Sequence, residues 1–143
     1  MNTNLSNALD ITNILVAQAQ AAAGEEGEYR LTRDDDLDLA FTGWEVAEGR
    51  CGDREFERDW TRWTIITLYV TAGGRFIVGI ERHSKWQGAT SRYDATVHET
   101  FDDVLNHLKG DNDGRVGTAS KAMIENAVAS LDCLGRADVE RVE

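Results

Sequence analysis

Arg62-Trp-Thr-Ile-Ile-Thr-Leu-Tyr-Val-Thr71, then Ala72-Gly73-Gly74, then Arg75-Phe-Ile-Val-Gly-Ile-Glu-Arg82 is the stretch that decides the architecture. Both runs are rich in β-branched and aromatic residues, which suit a pleated, half-buried surface. The two glycines between them supply the backbone freedom of a tight turn, so residues 62–82 predict a β-hairpin. A hairpin, unlike a crossover, makes the sheet antiparallel.

Further strands lie on both sides of it. Downstream, Tyr93–Val97 is a candidate third strand of the group. Upstream, from Glu28 to Glu48, the pattern has period two. Leu37, Leu39 and Phe41 alternate with Asp38, Ala40 and Thr42, after which Trp44 and Val46 take the apolar side. That phase change predicts a β-bulge at Gly43. Residues 49–60 and 83–88 are read as loops.

The flanks change to helical period. Leu5, Ala8, Leu9, Thr12, Leu15, Val16 and Ala19 recur at spacings of three and four, predicting a helix over 4–22 that the Gly24–Gly27 segment ends. Thr100 is a cap candidate, with Asp102 and Asp103 in the first turn and Phe101, Val104, Leu105 and Leu108 on one face. Thr118 is read as the cap of a last helix carrying Ala122, Met123, Ala127, Leu131 and Leu134, with Gly135 as its stop. The expected fold is α+β. It has an antiparallel sheet of about four to five strands around the central hairpin, two C-terminal helices on one face and an N-terminal helix. Residues 1–24 are expected to form a helical arm, the site of any homodimer contact, and 25–143 a single domain.

The chain has 143 residues, 41% hydrophobic and 29% charged, which is the size and mix of one globular domain and excludes fibrous and disordered classes. No apolar run approaches the ~20 residues of a membrane-spanning helix. The first residues lack a basic region and Asp10 interrupts the apolar stretch behind them, so no export signal is expected. The expected location is the cytoplasm, with Cys51 and Cys133 as reduced thiols. Cys133 falls in the helical apolar pattern and is expected buried; Cys51 is expected exposed in its loop.

The net charge of −11 is unevenly spread. Residues 25–60 carry −8, whereas residues 61–93 carry +4. Asp34, Asp35, Asp36 and Asp38 are the densest acidic group and repel one another at short range. With Glu45 and Glu48 they are the candidate contacts for a protein with a basic surface. The leading expectation is therefore a non-enzymatic acidic protein-binding module, of the kind that mimics nucleic acid to inhibit a nucleic-acid-binding complex, as phage or plasmid anti-defence proteins do. In that reading direct nucleic-acid binding is not expected. The alternative is a small nucleic-acid or phosphate-binding domain using Arg75, Arg82, Lys85, Trp86 and Arg92, since cations interleaved with aromatics hold phosphates and stack bases.

Motifs for cofactors and metals fail. Aligning Gly114 of Asp111-Asn112-Asp113-Gly114 with the obligatory glycine of an EF-hand puts Lys109 and Ser120 where acidic ligands belong. His98-Glu99-Thr100-Phe101-Asp102 lacks the second histidine of a zinc-protease helix, and His107 is read as unrelated to His98. No cofactor or metal is expected. No phosphate loop, dinucleotide fingerprint or nucleophile elbow occurs, and His83-Ser84-Lys85 is no nucleophile motif because neighbours in sequence seldom face each other. A third expectation, a small-ligand or catalytic domain around residues 83–88, rests on Glu81, His83 and Asp94.

Overall fold

A computed structural model describes residues 3–55, 59–85, 91–110, 112, 114–140 and 142. Helix α1 spans Thr3–Ala23. Strands β1 (Gly27–Leu31), β2 (Leu39–Glu55), β3 (Asp59–Thr71), β4 (Phe76–Ser84) and β5 (Arg92–His98) follow. Helices α2 (Phe101–Gly110) and α3 (Thr118–Ser130) and a short 3-10 turn at Asp132–Leu134 complete the chain. The strands pair antiparallel in the order β1-β2-β3-β4-β5, which makes the fold α+β. No helix among the described residues is long and apolar enough to cross a membrane.

The predicted hairpin is β3–β4, with Gly74 at φ 84° supplying the left-handed turn residue. Alternation then assigns the two faces of the sheet. Ile66, Leu68, Val70, Phe76, Val78 and Ile80 point toward the helices and join Leu15 and Ala19 of α1, Phe101, Val104 and Leu108 of α2, and Met123, Ile124 and Ala127 of α3 in one core. Gly49 lets α3 approach β2 closely, because a β-carbon there would overlap the Ala119 carbonyl and the Met123 amide. Thr100 does cap α2, accepting a hydrogen bond from the Asp103 amide at 3.1 Å.

Several local expectations are corrected. The bulge lies between Glu45 and Ala47, with a second irregularity between Asp53 and Arg54; Gly43 pairs in register with both Gly27 and Thr71. The backbone of 49–55 and 59–60 continues β2 and β3 in place of a charged loop. Leu37 belongs to the β1–β2 turn and is 81% exposed. The N-cap of α3 is Gly117, not Thr118, and α3 stops at Ser130, so Gly135 closes the 3-10 turn. Because helical phase ends before it, Cys133 is exposed, not buried. Cys51 is half-buried against the core instead of lying in an open loop.

The sheet is curled, and its two edges meet. The Asp34 amide donates to the Tyr93 carbonyl at 3.0 Å, and the Tyr93 amide donates to Asp34 Oδ2 at 3.0 Å. Arg33 reaches the Ala95 carbonyl at 3.4 Å. Leu31 of β1 lies over Gly79 of β4, where the missing side chain leaves room for it. Inside the curl, Tyr29, Phe41 and Tyr69 pack together with ring centroids 5.0–5.3 Å apart.

Candidate functional site

The six acidic candidates do not form one free surface. Asp38 accepts from Arg30 at 2.9 Å, and Glu48 holds Arg50 through two hydrogen bonds of 3.0 and 3.2 Å. Asp36 accepts from the Leu37 amide at 2.7 Å and lies 3.7 Å from the Arg33 guanidinium. Asp34 serves the seam with Tyr93. Asp35 and Glu45 are exposed and make no hydrogen bond or ion pair among the described residues. Glu45 stands directly across from Tyr69, whose phenol is pushed up to about 12 by burial and then by Glu45, Glu81, Tyr29 and Glu48.

The basic candidates are split as well. Arg75 lies at the β3–β4 turn, 3.2 Å from Glu99. Arg82 and Arg92 sit at the opposite end of the hairpin, directly across from each other in the β4–β5 register. Lys85 follows β4 and is exposed, and both it and Arg82 have further interactions. Trp86 lies outside the described residues, as do 87 and 88 of the expected loop, whereas His83 and Ser84 belong to β4.

Cross-strand register explains what this end of the sheet assembles. On the helix-side face, Cys51, Thr64, Arg82 and Arg92 form one row across β2 to β5, and Arg62 and Ser84 form the next. Among the described residues, none from a helix lines this end. A hollow of about 460 Å³ opens there, lined by Arg62, Arg82, Arg92, Thr64, Ser84 and Cys51, with Gly52, Trp63 and His83 completing its wall. Like charges directly opposite each other destabilise a sheet by ~0.2–1 kcal/mol. Three guanidiniums thus line one hollow, two of them facing each other across the strands.

The other face at the same end holds a second cluster. Trp63 and His83 are paired in register and their rings stack at 5.1 Å, while Tyr93 meets His83 edge-on at 5.7 Å. Ser91, the next position along from the Arg82–Arg92 pair, places its Oγ 2.9 Å from His83 Nδ1. Glu81, two residues back on the same face, has Oε1 3.4 Å from His83 Nε2. The constellation read from the sequence is thus corrected in one member. Asp94 pairs with Ile80 on the opposite face and accepts from the Ala95 amide at 2.9 Å; Ser91 is the residue that meets the histidine. Only the tertiary approach of the segment leading into β5 to the end of β4 reveals it.

A third grouping joins residues that look unrelated in sequence. His98 and His107 approach with ring centroids 5.0 Å apart, between β5 and α2. Burial, and then the His107 imidazole, hold His98 below its ordinary value. Among the described residues no group of three or more His, Cys, Asp or Glu is placed to hold a metal ion.

Set against family models, curated proteins and solved structures, the chain matches none of them.

Proposed function

We propose that this domain binds a small anionic ligand, one bearing phosphate or carboxylate groups, in the arginine-lined hollow at the end of β3, β4 and β5. The observation that carries the reading is the direct opposition of Arg82 and Arg92, with Arg62 lining the same hollow. Guanidiniums offer several fixed donors each and match the geometry of phosphate and carboxylate oxygens. A volume of about 460 Å³ suits a ligand of mononucleotide size. The net charge of −11 works against long polyanions, because a duplex would meet repulsion beyond the hollow. Thermal stability measured with pyrophosphate and with a mononucleotide tests this. Both should raise the melting temperature of the parent protein by mass action, and neither should stabilise Arg62→Ala or Arg92→Thr. No stabilisation of the parent by either compound would overturn the reading.

A second reading keeps the acidic flank as a docking surface for a basic protein. Its support is the exposure of Glu25, Glu26 and Glu28 beside Asp34, Asp35 and Asp36 along the β1 edge. The pairing of Asp36, Asp38 and Glu48 with this chain's own arginines reduces the charge such a partner would meet. Capture of a basic partner that survives in Asp35→Lys/Glu45→Lys, two carboxylates outside those pairs, would count against it.

A further inference from the structure

We propose that Ser91 is a nucleophile, activated by His83 and positioned through Glu81, that accepts the acyl group of a neutral or cationic carboxylic ester. The inference does not rest on the anion site: Ser91 and Glu81 are not among the residues lining that hollow, although His83 and Trp63 contribute to its wall. An ordinary serine hydroxyl is a weak nucleophile, and its activation requires a base within hydrogen-bond reach that is itself oriented by a third group. All three parts are present here. Ser91 Oγ is 2.9 Å from His83 Nδ1, and His83 Nε2 is 3.4 Å from Glu81 Oε1.

The chemistry of the partners assigns the tautomer. An ionised carboxylate only accepts hydrogen bonds, so the proton of the neutral ring belongs on Nε2, toward Glu81. Nδ1 is left with its lone pair toward the Ser91 hydroxyl. The ring cannot easily turn away from this arrangement. Trp63 stacks on it with planes 19° apart, Tyr93 meets it edge-on, and its side chain is 16% exposed. β-strand alternation places Glu81 and His83 on one face at i and i+2, and Ser91, the residue just before β5, brings its hydroxyl to the His83 ring.

The reaction balances without a cofactor. Ser91 Oγ attacks the ester carbonyl carbon while its proton passes to His83 Nδ1. The tetrahedral adduct collapses, the bond from carbonyl carbon to the leaving oxygen breaks, and that proton leaves with the alcohol. Water, deprotonated by the same nitrogen, then attacks the acyl-serine, returning free serine and a carboxylic acid. The charge of this face selects the substrate. Glu45, Glu48 and Glu81 share it, and Arg50 is engaged by Glu48, so an anionic ester is repelled and a neutral or cationic one is not.

The test uses the full chain with p-nitrophenyl acetate, whose leaving group needs no protonation, and with the anionic p-nitrophenyl hydrogen succinate. Peptide mass spectrometry should find the acetyl group on Ser91, with the neutral ester reacting faster than the anionic one. His83→Gln should cut acylation by about 100-fold, within the range of a general base, and Ser91→Ala should abolish it at that site. Glu81→Gln should lower the maximal acylation rate and leave its half-saturating ester concentration unchanged, the mark of a positioning residue. Far-ultraviolet circular dichroism and cooperative thermal unfolding check that each variant keeps its fold. An unlabelled Ser91 in the folded parent, or equal labelling in the folded His83→Gln variant, would overturn the proposal. Faster reaction of the anionic ester would overturn the substrate class. Loss of pyrophosphate stabilisation in Arg92→Thr with Ser91 labelling retained would confirm that the two sites are separate.

Discussion

Asp34 and Tyr93, 59 positions apart, exchange two hydrogen bonds of 3.0 Å and so join the β1–β2 turn to the free edge of β5. The edge strand therefore spends part of its unpaired backbone on a side chain from the far end of its own sheet, which blunts it against pairing with another chain. One member of the densest acidic group is structural.

Replacing Asp34 with Ala removes the acceptor for the Tyr93 amide. Denaturant unfolding should show a loss of about 1 kcal/mol, as for one charge-assisted hydrogen bond at an exposed site. Hydrogen exchange at Tyr93 should rise more than at Ile80, which the core protects. Unchanged exchange at Tyr93 would mean that the seam does not form.

Arg92→Thr separates ligand binding from stability. The substitution removes a cation facing Arg82 and introduces a residue that favours strands. Stability should hold or rise by ~0.5 kcal/mol while stabilisation by pyrophosphate disappears. A large loss of stability would show Arg92 to be a structural residue.

Gly49→Ala tests the contact between β2 and α3. The added methyl overlaps the backbone of Ala119 and Met123, which cannot rotate away as a side chain could. Overpacking of this kind costs ~1–3 kcal/mol, and chemical denaturation should register it. The same change at the exposed, open position Gly110 should cost far less.

The His98–His107 contact predicts sensitivity to mild acid. His98 is held below its ordinary value in the folded chain, so the unfolded chain binds the proton more readily. Stability is full above the unfolded value of about 6.5 and falls as pH drops through it toward the lower folded value. The charges facing His98 are His107, which disfavours its protonation, and Asp103, which favours it. Melting temperatures between neutral and mildly acidic pH should fall more steeply for the parent than for His98→Asn.

Tyr69 predicts the alkaline limb. Its phenol is pushed up from 10 to about 12, so the folded state keeps a proton that the unfolded state releases. Stability should therefore decline as pH rises from about 10 toward 12. A phenolate titration should show one late tyrosine, absent from Tyr69→Phe.

The sequence by itself determined the hairpin, the antiparallel class and most helices, because each rests on neighbours a few positions apart. Period-two alternation, the Ala72–Gly74 turn and the Thr100 cap act within such distances, and each appears in the fold. Helix ends were less legible, since Thr118 looks like a cap and Gly117 occupies that position. Tertiary structure alone decided the rest. The bulge moved from Gly43 to Val46 because β2 must fit β1, β3 and α3 at once, and composition does not encode that joint constraint. The curl brought Asp34 to Tyr93, the register set Arg82 against Arg92, the approach to β5 set Ser91 beside His83, and helix docking set His107 on His98. These meetings depend on how separate elements pack as a whole, and a charge or a histidine in a string of residues carries no mark of what will face it.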